Sequence, residues 1–233
     1  EFNRQGIGLI AKYNFAPTKL AKQNLLSEGK KEEGIYVTGN TVIDAMSHTV
    51  KADYTHPELD WVGDNKLIFI TAHRRENLGE PMHNMFRAIR RVLDEHPDVR
   101  AIYPIHMNPL VRQAADEELG DCKQIHIIEP IEVFDCHNFE AKSYLILTDS
   151  GGIQEEAPAY GVPVLVMRDT TERPEGVDAG TLKLVGTNED VIYNEFTKLL
   201  DDKSEYSKMA KAVNPYGDGN ACKRIADVLE GKP

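Results

Sequence analysis

A doubly wound α/β fold, with a parallel sheet between helical layers, is predicted by two features of this 233-residue sequence. Short apolar runs alternate with amphipathic stretches, and chemically versatile side chains gather just after the runs. The candidate strands are residues 35–38, 66–71, 100–105, 124–128, 144–148 and 163–167. Helical patterns fill the intervals, among them 82–95, 109–119 and 133–141. Ahead of this body, residues 6–40 read as a strand, a helix over 17–27 and a second strand. Thr18 is a candidate N-cap for that helix and Gly29 a candidate stop. A further helix is predicted from about 217 to 229, after the breaker Asn214-Pro215-Tyr216-Gly217.

Composition narrows the function classes. With 27 Lys+Arg against 38 Asp+Glu, the formal net charge is −11, which disfavours non-specific binding to nucleic acid or to an anionic membrane. An anionic ligand would have to be held locally, by backbone amides and a few placed cations. No apolar run approaches the length of a membrane span, and no secretory signal opens the chain. Three cysteines, Cys122, Cys136 and Cys222, without metal-ligand spacing read as reduced thiols of a cytoplasmic protein. The opening Glu1-Phe2-Asn3-Arg4 lacks an initiator methionine, so the chain is expected to begin within a longer protein.

In an open parallel sheet, ligands bind beyond the carboxyl ends of the strands. Residue 71 is followed by Ala72-His73-Arg74-Arg75-Glu76-Asn77, residue 105 by His106-Met107-Asn108 and residue 128 by Glu129-Pro130. Residue 148 is followed by Asp149-Ser150-Gly151-Gly152, and residue 167 by Arg168-Asp169-Thr170-Thr171-Glu172-Arg173. Imidazoles, guanidiniums, hydroxyls and carboxylates thus converge on one edge of the sheet.

Gly151 and Gly152 join a strand to a helix, where bare backbone lets an anion reach the first free amides and the helix dipole favours it. Ser150 can donate, and Glu155 or Glu156 can accept from ribose hydroxyls. The same spacing also fits a capped helix with a tight glycine turn and no ligand. Two guanidiniums and an imidazole in residues 73–77 suit a diphosphate, but also a solvated loop in which Arg75 pairs with Glu76. Of eight histidines, none stands in a paired ligand spacing, so no metal site is expected. Thr148 and Asp149 precede Ser150 where a nucleophile elbow needs glycine, which disfavours a serine hydrolase.

Six segments together resemble one known family. They are Gly39-Asn40-Thr41-Val42-Ile43-Asp44, Thr71-Ala72-His73-Arg74-Arg75-Glu76-Asn77, residues 149–156, Gly161-Val162-Pro163-Val164-Leu165, residues 168–175, and Asn214-Pro215-Tyr216-Gly217-Asp218-Gly219. In order and spacing these resemble the signatures of non-hydrolysing UDP-N-acetylglucosamine 2-epimerases, most closely those of Bacillus-like bacteria. The resemblance implies a GT-B architecture of two Rossmann-like domains, of which this chain would hold the C-terminal half. Residues 1–40 would be a remnant of the first domain, 41–213 the UDP-binding domain, and 214–233 a helix that packs back on the first domain.

It further implies interconversion of UDP-GlcNAc and UDP-ManNAc by loss and re-addition of UDP through 2-acetamidoglucal, without NAD, metal or other cofactor. Such enzymes serve cell-wall or surface polysaccharide synthesis, and the full-length enzyme would be a cytoplasmic homodimer. His73 would be catalytic, beside the diphosphate. Ser150, Gly151 and Gly152 would hold that diphosphate, Glu156 the ribose hydroxyls, and Arg173 would face the substrate cleft. Arg74 and His106 would line a second, allosteric UDP-GlcNAc site.

Two departures stand out. Of a Pro-Glu-Glu stretch that carries acidic catalytic residues, only Glu1 is present, so this chain alone is expected to be weakly active or inactive. Cys136 stands where relatives often carry Phe near the uracil. The alternatives are a catalytically inert UDP-binding fragment, a hydrolysing epimerase or a GT-B glycosyltransferase.

Overall fold

Residues 66–71 read Lys-Leu-Ile-Phe-Ile-Thr, apolar on both faces, which suits a strand covered on both sides. The computed structural model describes residues 2–232 and places this run, β3 (Lys66–Thr71), at the centre of a six-stranded parallel sheet. It follows β1 (Asn14–Ala16) and β2 (Ile35–Val37), which pair separately with each other. The other sheet strands are β4 (Val99–Pro104), β5 (Ile125–Ile128), β6 (Leu145–Thr148), β7 (Val164–Val166) and β8 (Leu182–Leu184). Their order is β5-β4-β3-β6-β7-β8, so the chain winds outward from β3 and then outward the other way from β6. The doubly wound prediction holds. β8 was not predicted: three residues are too few for a period to show.

The chain divides into two compact units, Thr49–Val213 and Glu1–His48 with Asn214–Pro233. In the first, successive side chains of each strand enter opposite cores. Ile68, Ile70, Tyr103, Leu145 and Leu147 face one side, with α5 (Glu80–Glu95), α6 (Pro109–Leu119) and α10 (Glu189–Asp201). Leu67, Phe69, Ile102 and Ile146 face the other, with α4 (Pro57–Val62), α7 (Val133–Lys142) and α8 (Ile153–Glu156). The unit is completed by α9 (Pro174–Ala179) and α11 (Lys203–Ala210). α5 shows how sequence makes such a layer: Met82, Met85, Phe86, Ile89, Val92 and Leu93 recur every three or four residues and all are buried.

The other unit contains α1 (Phe2–Ile10), β1, α2 (Lys19–Ser27), β2, α3 (Thr41–Thr49) up to His48, and α12 (Ala221–Leu229). The segment expected to open with a strand opens with α1, and the strand follows at β1. Thr18 caps α2 by accepting from Ala21 N at 3.0 Å, as expected. Gly29 has a φ of +80° and its N–H reaches Leu26 O at 2.9 Å, closing that helix.

Two of the sequence signatures meet inside this unit. Asn40 N donates to Tyr216 O at 2.7 Å, and a side chain on Gly39 would come within 3.2 Å of Gly217 Cα. Asp44 accepts from Ala221 N at 3.1 Å and Cys222 N at 2.8 Å, so α3 supplies the cap of α12. That helix begins at Ala221 rather than near Gly217. The boundary between units falls after His48, at the end of α3, whereas the sequence signatures were divided at residue 40.

Candidate active site

The winding direction reverses between β3 and β6, and their carboxyl ends therefore open a crevice that no crossover helix covers. Asp149, which directly follows β6, organises it. Its Oδ2 accepts from His73 N at 2.9 Å, Arg74 N at 2.9 Å and Asn77 Nδ2 at 3.1 Å. Arg74 Nε also donates to Asp149 O at 2.8 Å. The loop after β3 is thus pinned to the loop after β6 by one buried carboxyl. Thr71 and Thr148 lock the strand ends with a 2.6 Å hydroxyl bond, and Ser150 N donates to Thr148 Oγ1 at 2.9 Å.

His73, His106 and Ser150 come together. They line one cavity of about 180 Å³, with Phe69, Ile131 and Cys136 among its other walls. The His73 and His106 rings stack, 5.3 Å apart and 15° from parallel. Asn108 N donates to His106 Nδ1 at 3.1 Å, which fixes the proton of the neutral ring on Nε2. His73 Nδ1 lies 3.8 Å from Asp149 Oδ1, and its side chain remains 41% exposed on the cavity side. A larger depression, about 570 Å³, lies between α9, β8 and α10. Its charged walls are occupied with Lys183–Glu195 and Lys198–Glu205 pairs, so it lacks convergent groups for a ligand.

The glycine pair is tight for reasons of space. Neither Gly151 nor Gly152 has a positive φ. A Cβ on Gly151 would press on the Arg173 guanidinium at 3.2–3.4 Å, and one on Gly152 would meet Glu156 Oε1 at 3.1 Å. Arg173 therefore lies directly against the turn, while its Nε donates to Glu155 Oε1 at 2.8 Å. Glu155 is engaged there, which leaves Glu156 as the carboxylate over the second glycine. The helix after the turn is shorter than expected: α8 spans four residues and continues as a 3₁₀ segment, Ala157–Tyr160. Pro158 lacks the N–H that a longer α-helix would use. Close-set amides and a guanidinium, more than a long helix dipole, make this turn suited to an anion.

The loop after β7 joins the same network. Gln154 Nε2 donates to Ser150 O at 2.9 Å, and Thr171 Oγ1 donates to Gln154 Oε1 at 2.6 Å. Arg168 binds Glu76 at 3.0 Å and Glu172 at 2.8 Å, which pulls the Glu172 carboxyl down to about 2. Glu76 thus pairs across to Arg168 instead of with its neighbour Arg75. Arg74 does not join the cavity walls: it turns to the Asp149 carbonyl and lies 3.9 Å from Glu172.

Glu1 lies outside the described residues. Among the described residues there is no group of three His, Cys, Asp or Glu able to hold a metal, and no helix long and apolar enough to cross a membrane. Several remaining histidines have evident structural work: His56 caps α4, His126 stacks on Trp61 at 3.5 Å, and His137 bonds Thr49 at 2.8 Å.

Sequence reasoning missed Asp149 as the organiser and Glu140 beneath the site. Asp149 adjoins the strand end and was visible as part of its motif. Glu140 was legible only as a carboxylate on the apolar face of α7, beside Cys136 and Phe139.

Against known proteins, a family profile described as UDP-N-acetylglucosamine 2-epimerase matches residues 1–230. The chain is 62% identical over 229 residues to the UDP-N-acetylglucosamine 2-epimerase of Bacillus subtilis, covering 98% of this chain and 60% of that one. It superposes on the S. aureus MnaA–UDP co-structure with a TM-score of 0.95 at 52% identity, covering 100% of this chain and 66% of the other. On a Neisseria meningitidis UDP-GlcNAc 2-epimerase bound to UDP-GlcNAc the TM-score is 0.89 at 42% identity, over 100% and 65% of the chains. The chain spans about 60% of the length of the curated relatives it matches.

Proposed function

Because the chain belongs to the UDP-N-acetylglucosamine 2-epimerase family, we propose that it is the nucleotide-binding part of an enzyme that interconverts UDP-GlcNAc and UDP-ManNAc. The observation that carries this reading is the bare Gly151–Gly152 turn at the switch point, with the Arg173 guanidinium against it and His73 across the crevice. The diphosphate occupies the Ser150 hydroxyl and the amides of Gly151 and Gly152 beside Arg173, and the ribose hydroxyls meet Glu156. The base lies toward Pro130, Ile131 and Cys136, on the apolar side of the cavity.

In the reaction the C1–oxygen bond breaks toward UDP while a base takes the C2 proton, leaving 2-acetamidoglucal. Re-addition of UDP and return of a proton to the opposite face of C2 complete the epimerisation. Departure of UDP, whose diphosphate gains a further negative charge as the C1–oxygen bond breaks, is the step this chain's residues serve. Guanidinium and amide donors already in place stabilise the charge as it develops, and His73 adds a donor from the other loop. No cofactor enters the scheme. Arg74 and His106 are assigned to a second UDP-GlcNAc site; His106 sits against His73, so occupancy there is felt at the catalytic ring.

For the domains, residues 1–40 belong to a first Rossmann-like domain, 41–213 bind UDP, and 214–233 return to the first domain. In support, residues 214–233 share a compact unit with the N-terminal segment, not with the sheet. The whole protein is proposed to work as a cytoplasmic homodimer.

Titration with UDP tests the phosphate site. Gly151→Val should lower affinity at least about tenfold, because a β-branched side chain fills the anion's approach; undiminished affinity would sink the assignment. A proton NMR time course of UDP-GlcNAc in D₂O tests the chemistry. Deuterium at C2 with UDP-ManNAc signals supports epimerisation, free ManNAc identifies hydrolysis, and uridine broadening alone indicates binding without turnover.

A further inference from the structure

Beneath the proposed ribose position lies a group that the reaction scheme does not use. Glu140, on α7, is fully buried, with 0% of its surface exposed. Its Oε1 accepts from the Cys136 thiol at 3.2 Å. Its Oε2 meets no N–H or hydroxyl donor among the described residues. The neighbour it faces is the carboxyl of Glu156, whose negative charge disfavours its own. Two carboxylate oxygens attract only when a proton lies between them.

Other charges near the pair are engaged elsewhere. On α7, Asp135 accepts from Tyr54 Oη at 2.5 Å and His137 bonds Thr49. On α8, Glu155 holds Arg173. The adjoining 3₁₀ segment offers only Tyr160, and β3 only Lys66, which pairs with Asp98 at 2.9 Å. Lys142, the other cation-bearing residue of α7, is exposed, and among the described residues no cation figures in the electrostatics of either carboxyl. Burial and the facing carboxylate push the Glu140 carboxyl well above the usual range, and burial pushes the Cys136 thiol up as well. Glu156 is raised by burial but held down by the Glu140 carboxyl it faces.

We propose that Glu140 is a positioning residue that carries a proton at neutral pH and donates it in a hydrogen bond to Glu156, presenting Glu156 as the anionic acceptor for the ribose hydroxyls. The inference rests on the ribose assignment of Glu156 made above. The pair carries one negative charge in the working state. When Glu140 loses its proton, the two carboxylates repel, Glu156 is displaced from Gly152, and the grip on the ribose weakens. Nucleotide affinity then falls on the alkaline side for a reason internal to this chain.

The test compares UDP with its 2′,3′-dideoxy analogue, by calorimetry between about pH 6 and about pH 9, for the chain and for Glu140→Gln, Glu140→Ala and Glu156→Ala. Carboxyl-carbon NMR of the unliganded protein is run beside it. One glutamate carboxyl should be protonated at neutral pH and be absent from Glu140→Gln. The preference for UDP over the dideoxy analogue should fall as pH rises. Glu140→Gln, a neutral donor that cannot ionise, should keep the preference and lose its pH dependence. Glu140→Ala should reduce the preference about tenfold throughout. No protonated carboxyl, an unchanged preference in Glu140→Ala, or an alkaline loss persisting in Glu140→Gln would overturn the proposal. Equal binding of both nucleotides to the unsubstituted chain, unaffected by Glu156→Ala, would instead sink the ribose assignment and this role with it.

Discussion

Asp149 and Glu140 are two fully buried carboxyls, and their surroundings are opposite. Asp149 gathers three N–H donors on one oxygen and binds two loops together. Glu140 has a weak thiol donor and another carboxyl. Burial is equal, so the available donors decide what each group does. Asp149 organises structure, whereas Glu140 sits at a cost in stability, its carboxyl held well above the usual range by burial.

Removing Asp149 should have the largest effect. Asp149→Ala leaves the amides of His73 and Arg74 and the Asn77 side chain without their acceptor, and should cost about 3 kcal/mol or more in urea unfolding. A loss under about 1 kcal/mol would mean that the pinned loop contributes little to the fold.

Glu140→Leu should change stability in the other direction. The native Glu140 carboxyl titrates above its unfolded value, so the folded state binds more protons from the ordinary carboxylate range upward. Stability of the unsubstituted chain therefore falls as pH rises through that window, by at most about 1.4 kcal/mol per pH unit. The leucine variant escapes this loss, and its advantage should grow from about pH 5 toward about pH 9 in denaturation midpoints. A difference that does not vary with pH would erase the contrast with Asp149.

The smallest effect sharpens the comparison from outside the sheet. Asp44 is also a buried carboxyl met by N–H donors, but those donors belong to a single helix terminus. Asp44→Ala should cost about 1 kcal/mol, the ordinary price of a lost cap. A cost equal to that of Asp149→Ala would show that the number of loops joined does not matter.

Much of this was legible in the residues. Each of the five sheet strands predicted at 66–71, 100–105, 124–128, 144–148 and 163–167 is present, because runs apolar on both faces fit little else. The convergence of His73, His106 and Ser150 on one cavity followed from counting what comes after each run. Less legible were the pairings. Glu76 bonds Arg168, 92 residues away, rather than Arg75 beside it. Glu155 and Glu156 look interchangeable in sequence, yet one holds Arg173 and the other covers Gly152.

By itself the sequence determined the alternation of strands and helices, the edge where polar groups collect, and the glycine turn that exposes amides there. These follow from local period and from residue volume, which neighbouring residues already contain. Tertiary structure alone decided which carboxyl became an anchor and which was left facing another carboxyl. That choice depends on how many donors the fold brings within about 3 Å of a buried oxygen, and those donors come from segments far apart along the chain.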